Sequence, residues 1–163
     1  MNISTLGRAL VLAASFFMVT PMPAADAQQP DWAAAQQAFL TDNAKKPGWK
    51  STPSGLQYTV LKPGDGKTPK PAPGSEVTVH YEGKLINGEV FDSSYARNEP
   101  ATFPLDGVIM GWQEGVPLMR VGEVFEFAIP AQLGYGQRAL PSIPAGSVLI
   151  FKVQLLEAHT PAP

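Results

Sequence analysis

The feature that most constrains the fold of this chain is a set of runs in which apolar and polar residues alternate. The apolar residues of such a run share one face when the run is extended as a β-strand, and that face can then be buried. Residues 77–81 alternate in this way, and so do residues 55–60, 125–129 and 149–155. Asn87-Gly88 is a strong signal for a hairpin turn before the next short strand. The pattern therefore predicts an antiparallel sheet that buries one face.

One short stretch between these strands has the spacing of a helix. In residues 108–119, the apolar side chains Ile109, Trp112, Val116 and Met119 recur every three or four residues. Apolar residues make up 44% of the 163 residues, which suffices for one hydrophobic core. We therefore predict an α+β domain in which an antiparallel sheet wraps around one short helix.

A second helix is predicted before the sheet, over residues 31–46. Asp31 favours its N-terminus, Pro47-Gly48 ends it, and Trp32, Ala35 and Phe39 form one modest apolar stripe. The helix either packs on the following domain or frays, and a dimerisation arm is the alternative. We expect a monomer, because about four helical turns are short for such an arm.

The N-terminus has the features of an export signal. Arg8 precedes an apolar run over residues 9–19, and Ala25-Asp26-Ala27 matches an A-x-A cleavage site. Cleavage after Ala27 would leave a segment over 28–50, a domain over 51–158 and a disordered tail over 159–163. The expected location is the periplasm. A secreted protein and one anchored in the inner membrane by an uncleaved signal are the alternatives, although eleven apolar residues are short for a span.

The composition excludes several classes of function. The chain has no cysteine, only two histidines and a net charge of −2, so we expect no metal, no cofactor and no nucleic-acid partner. Signature motifs of hydrolases and of phosphate-binding loops are missing. Asp92 and Glu99 are close in sequence without an evident substrate, and we interpret His80 as structural or solvated.

The most informative feature is an excess of large apolar residues on elements that would face one another. Pattern alone leaves two interpretations open, an ordinary core or an apolar cleft for an uncharged ligand. The residues are Tyr81, Phe91, Phe103, Val108, Ile109, Trp112, Tyr135, Ile143 and Phe151.

Four motifs, in this order, resemble the FKBP-type peptidyl-prolyl isomerases. They are VHYEGKLINGEVFDSS (79–94), VIMGWQEG (108–115), GYG with SIP (134–136 and 142–144), and LIFKVQLL (149–156). The resemblance covers residues 51–157, and FLTDNAKKPG (39–48) is similar to the lead-in of the family's bacterial exported branch.

The resemblance implies roles for individual residues. Trp112 would form the floor of a proline pocket, and the Ile109 amide and Tyr135 hydroxyl would donate to substrate carbonyls. Asp92 would lie at the rim in a polar cluster with Tyr81 and Arg97. The implied catalytic residues are Tyr81, Asp92, Ile109, Trp112, Tyr135 and Phe151, and the implied substrate-binding residues are Phe91, Arg97, Phe103, Val108 and Ile143.

Three positions depart from the family's pattern. Ala101 stands where a large apolar wall residue is common, Gly134 where alanine is usual, and Ala145 where a second proline is common. The resemblance implies macrolide inhibitors as ligands, and these departures bear on their affinity and on substrate preference.

The expected function is isomerisation of X-Pro bonds in exported proteins, with proline-containing polypeptides as partners. A non-catalytic chaperone or binding module that uses the same cleft is the main alternative. A surface-exposed protein that acts on host partners is a third, which no sequence feature specifically supports.

Overall fold

The computed structural model describes residues 29–159. The predicted signal peptide and residues 160–163 of the predicted tail lie outside this range, whereas the last strand extends to His159. The helices are α1 (Gln29–Asn43), α2 (Ser94–Arg97) and α3 (Met110–Gly115), and the strands are β1 (Lys50–Ser51), β2 (Gln57–Lys62), β3 (Glu76–Lys84), β4 (Val90–Ser93), β5 (Ala101–Pro104), β6 (Val124–Ile129) and β7 (Leu149–His159).

The seven strands form one antiparallel sheet, as the alternating runs predict. The strand order is β1-β2-β6-β7-β3-β4, and β5 also pairs with β3. Strand β3 is central, because β7 follows its whole length on one side while β5 and β4 share the other. The predicted hairpin is confirmed, with Gly88 at a φ of +87° in the turn that joins β3 to β4.

Helix α3 packs against the buried face of this sheet. It covers less than the predicted 108–119, because a 3₁₀ turn that contains Pro117 replaces its last part. A Cβ atom at Gly111 would lie 2.5 Å from Ile129, and one at Gly115 would lie 2.7 Å from Phe127. The two glycines therefore let the helix backbone approach strand β6 closely, and this approach seats Trp112 in the core.

Helix α1 packs on the domain, and the predicted stripe accounts for this packing only in part. Ala35 is exposed, whereas Gln36 and Asn43 are buried. The Asn43 side chain donates to Gln57 Oε1 at 2.9 Å, and Gln57 donates to the Leu40 carbonyl at 2.8 Å. The stripe is wrong at Ala35, whereas Trp32 and Phe39 are half-buried, and hydrogen bonds of buried amides, which carry no apolar period, add to the packing of this helix.

Within residues 29–159, no helix combines the length and the apolar character that a membrane crossing requires.

Candidate active site

An open cleft of about 580 Å³ lies between α3, one end of the sheet and the loop between β6 and β7. Its wall is mainly apolar, and among the described residues Asp92 is the only charged one that lines it. The lining residues are Tyr81, Phe91, Asp92, Phe103, Gly107, Val108, Ile109, Trp112, Tyr135, Leu140, Pro141, Ser142, Ile143 and Phe151.

The indole of Trp112 forms the floor of the cleft and is only 4% exposed. Tyr81, Phe103 and Phe151 surround it with ring centroids 5.4, 5.8 and 5.3 Å away, and each ring is nearly perpendicular to the indole. These edge-to-face contacts are a favoured arrangement of aromatic rings. The floor is thus a rigid apolar surface whose members fix one another.

Gly83 allows two of the aromatic walls to stand where they do. A Cβ atom at this position would lie 2.5 Å from Phe91 and 2.7 Å from Phe151, which is closer than side-chain atoms approach. The rings of Phe91 and Phe151 meet edge-to-face over this gap, with centroids 5.5 Å apart. A side chain at residue 83 would therefore collide with both rings of this wall.

The rim of the cleft carries a polar cluster of Tyr81, Asp92 and Arg97. The Tyr81 hydroxyl donates to Asp92 Oδ2 and an Arg97 nitrogen donates to Asp92 Oδ1, each at 2.5 Å. Arg97 also donates to the Tyr81 hydroxyl at 3.1 Å. The Asp92 carboxylate therefore has a donor on each oxygen.

These contacts set the charge states of the cluster. Burial disfavours the Asp92 carboxylate, but hydrogen bonds from Tyr81 and Arg97 outweigh it and lower the pKa of Asp92 below its ordinary value of 3.8. Burial, together with the bond to Asp92, raises the pKa of Tyr81. The bond to Asp92 raises the pKa of Arg97 as well. At neutral pH the cluster is an ion pair that holds a neutral phenol.

Helix α2 brings Arg97 back over Asp92. Ser93 caps the helix by accepting from the Ala96 amide at 3.2 Å, and the Ser94 hydroxyl accepts from the Tyr81 amide at 2.7 Å. His80 hydrogen-bonds the same hydroxyl at 3.0 Å and stacks on Tyr95, away from the cleft. The interpretation of His80 as a structural residue agrees with this position.

Two groups at the mouth of the cleft are available to a ligand. Within residues 29–159, neither the Ile109 amide nor the Tyr135 hydroxyl has a hydrogen-bond partner. Gln113 donates to the Val108 carbonyl at 2.8 Å and so fixes the turn that presents Ile109. Tyr135 is 38% exposed.

Ten of the eleven residues that the sequence implicated line the cleft, and Arg97 reaches it through Asp92 and Tyr81. The site residues named from sequence did not include Gly107, Leu140, Pro141 or Ser142, although Ser142 begins the SIP motif and Leu140 and Pro141 directly precede it. Ala101 packs against the core and does not line the cleft. In the part of the chain that the structure describes, no group of three His, Asp or Glu residues is arranged to hold a metal ion.

Two protein-family models match consecutive parts of the chain. Residues 67–156 match the family described as FKBP-type peptidyl-prolyl cis-trans isomerase, and residues 13–60 match the domain amino-terminal to it. The chain is 54% identical over 126 residues to the isomerase FkpA of Aeromonas hydrophila, covering 77% of this chain and 46% of the relative. It is 55% identical over 120 residues to the FKBP-type 22 kDa isomerase of Escherichia coli, covering 73% and 57%. The chain thus spans about half the length of the curated relatives it matches.

The fold agrees with these matches. The crystal structure of FkpA from Escherichia coli superposes with a TM-score of 0.78 at 40% identity, covering 85% of this chain and 63% of that one. The family match includes the central strands, α3 and the whole cleft. This protein belongs to the family of FKBP-type peptidyl-prolyl cis-trans isomerases.

Proposed function

We propose that this protein catalyses cis–trans isomerisation of X-Pro peptide bonds in exported polypeptides. The observation that supports this proposal most strongly is the cleft itself. In it, the buried indole of Trp112, enclosed by three aromatic rings, lies beside two unpaired hydrogen-bond donors, the Ile109 amide and the Tyr135 hydroxyl. Membership of the family gives the expected reaction, and the geometry of the cleft supports the mechanism proposed here.

An X-Pro bond rotates slowly because twisting destroys amide resonance, at a barrier of about 18–20 kcal/mol. The planar amide is more polar than the twisted one, since resonance separates charge between nitrogen and oxygen. An apolar cleft that excludes water therefore destabilises the planar form more than the twisted form. Each tenfold acceleration requires about 1.4 kcal/mol of such differential binding.

In this proposal the proline ring rests on Trp112. The Ile109 amide and the Tyr135 hydroxyl hold substrate carbonyls while the bond turns between them. The Asp92 carboxylate fixes the Tyr81 hydroxyl and acts on the twisting carbonyl through its field. It is not a general base, because rotation transfers no proton.

The N-terminal sequence supports placing this activity in the periplasm. A charged residue, an apolar run and an A-x-A site follow one another as export signals do. We further propose that the protein works as a monomer, since α1 already packs on its own domain, and that macrolide inhibitors compete for the cleft.

The test is NMR exchange spectroscopy on a short X-Pro peptide with the purified chain. Two tyrosines of nearly equal exposure provide a matched pair, because Tyr135 lines the cleft and is 38% exposed, whereas Tyr95 lies outside the cleft and is 37% exposed. We expect the protein to accelerate exchange, Tyr135→Phe to lower the rate about threefold to tenfold, and Tyr95→Phe to leave it unchanged.

A folded protein without any acceleration would refute isomerase activity and favour the binding-module alternative. Suppression of the aggregation of a proline-free client would then support that alternative. Equal rates for Tyr135→Phe and the wild type would contradict the role given to the hydroxyl.

A further inference from the structure

We propose that helix α1 takes part in catalysis by holding the loop between β6 and β7 in its substrate-binding geometry, with Trp32 and Gln36 as positioning residues. The proposal rests on the proposed isomerase function as far as turnover is concerned. It assigns a role to a segment that contributes no atom to the cleft.

Two side chains of α1 hold the C-terminal end of this loop. The Trp32 indole donates to the Ala145 carbonyl at 3.2 Å, and Gln36 Oε1 accepts from the Val148 amide at 2.8 Å. Gln36 and Val148 are buried, so the second bond is shielded from water. The loop is therefore fixed to the helix at two points three residues apart.

From these points the loop leads directly to the cleft. The Gly146 amide donates to the Gly136 carbonyl at 2.8 Å, so the two ends of the loop are paired next to Tyr135. Towards its tip, Leu140 and Ile143 pair through both backbone bonds, at 2.8 and 3.2 Å. A shift of Ala145 would therefore move both Tyr135 and Ile143.

The base of the loop is otherwise held by local hydrogen bonds of its own, such as the bond from the Gly136 amide to the Ala131 carbonyl at 2.8 Å. Gly136 and Gly146 both have positive φ values, +57° and +73°, a region that only glycine enters without cost. A cavity of about 180 Å³ also separates α1 from the loop, lined in part by Gln137 and Ala131. Because the packing between α1 and the loop is incomplete, hydrogen bonds set the position of the base of the loop.

The opposite end of α1 supplies a matched control. Asn43 is as buried as Gln36, but it binds Gln57 on β2, far from the loop in sequence and outside the cleft. Asn43→Ala should loosen the helix without disturbing Ala145 or Val148.

The experiment compares Trp32→Phe, Gln36→Met and Asn43→Ala in the full chain by amide hydrogen exchange and by peptide turnover. We expect faster exchange at Gly146 and Val148 in the first two variants, with the amides of β3 unchanged. The same two variants should lower kcat/KM about threefold to tenfold, mainly by raising KM, because the loop holds the substrate. Asn43→Ala should change neither the exchange of the loop nor KM.

A double-mutant cycle separates positioning from general destabilisation. If α1 acts through the loop, Trp32→Phe should lower kcat/KM by a smaller factor in the Tyr135→Phe background than in the wild type, since one of the two contacts it supports is already lost. The proposal would be overturned if the fold-changes in kcat/KM of Trp32→Phe and Tyr135→Phe simply multiplied in the double variant. Unchanged hydrogen exchange in the loop, or faster exchange and a higher KM in Asn43→Ala as well, would also overturn it. A wild-type protein without turnover would refute the proposed function alone, and the exchange data would still decide whether α1 holds the loop.

Discussion

The floor and the rim of the cleft are built by different forces. Trp112 and its neighbouring rings are buried in the hydrophobic core and held by packing, whereas the side chains of Asp92 and Arg97 are 41% and 48% exposed and held by hydrogen bonds. Tyr81 belongs to both, because its ring contacts Trp112 and its hydroxyl binds Asp92.

This difference determines what substitutions should do. A change in the floor alters the core, so it should reduce stability and turnover together. A change in the rim removes polar contacts that solvent partly screens, so it should reduce turnover while the fold persists. The separation can be tested by measuring the free energy of unfolding and kcat/KM for each variant.

Trp112→Ala should have the largest effect, a loss of about 3–5 kcal/mol in the free energy of unfolding, because it leaves a cavity where three rings met. Denaturant titration measures this loss. Met110→Ala is the control on the same helix, since Met110 is 61% exposed and should cost no more than about 0.5 kcal/mol. Similar losses for both variants would show that the floor is not part of the core.

Gly83→Ala should come next, at about 1–3 kcal/mol, because the new methyl group meets the rings of Phe91 and Phe151. The added Phe91→Leu substitution should relieve part of this loss by removing one of the two rings. Denaturant titration of the single and double variants measures the coupling. Strictly additive losses would indicate that the wall does not crowd residue 83.

The sequence predicted the floor better than the elements around it. Alternation located the strands that carry Tyr81 and Phe151, and helical spacing located Trp112, because burial of one face leaves a period in the sequence. The resemblance then implied which of these side chains face the cleft. No such period marks Gly83, whose importance depends on two rings, one of them more than 60 residues away along the chain.

The same limit applies to α1 and the loop. Gln36 and Asn43 are polar, so a search for apolar stripes passes over them and selects the exposed Ala35 instead. Their burial depends on partners at Val148 and Gln57 that only the folded chain brings near. Hydrogen bonds between polar side chains and groups far away along the chain are therefore the feature that a single sequence predicts least well.

At the rim, Asp92→Val should lower kcat/KM about threefold to tenfold with a native circular dichroism spectrum. The substitution removes the acceptor that fixes the Tyr81 hydroxyl, and one such hydrogen bond contributes about 1 kcal/mol. Glu99→Val is the matched control, because Glu99 is an exposed carboxylate outside the cleft. A fully active Asp92→Val protein would contradict the role of the rim.

The smallest expected effect is on stability in acid, and it follows from the lowered pKa of Asp92. A carboxyl group whose pKa is lower in the folded state stabilises that state above its unfolded pKa, near 3.8, and loses this contribution as the pH falls through the folded value. The difference in melting temperature between the wild type and Asp92→Asn should therefore be constant from about pH 6 to pH 5 and shrink below about pH 4. Because the Asp92 side chain is 41% exposed, solvent screens the pair and the difference should be small throughout. A difference that grows on acidification would mean that the folded protein holds Asp92 protonated, and the rim would then be a neutral hydrogen-bond network in which Arg97 has no ionic partner.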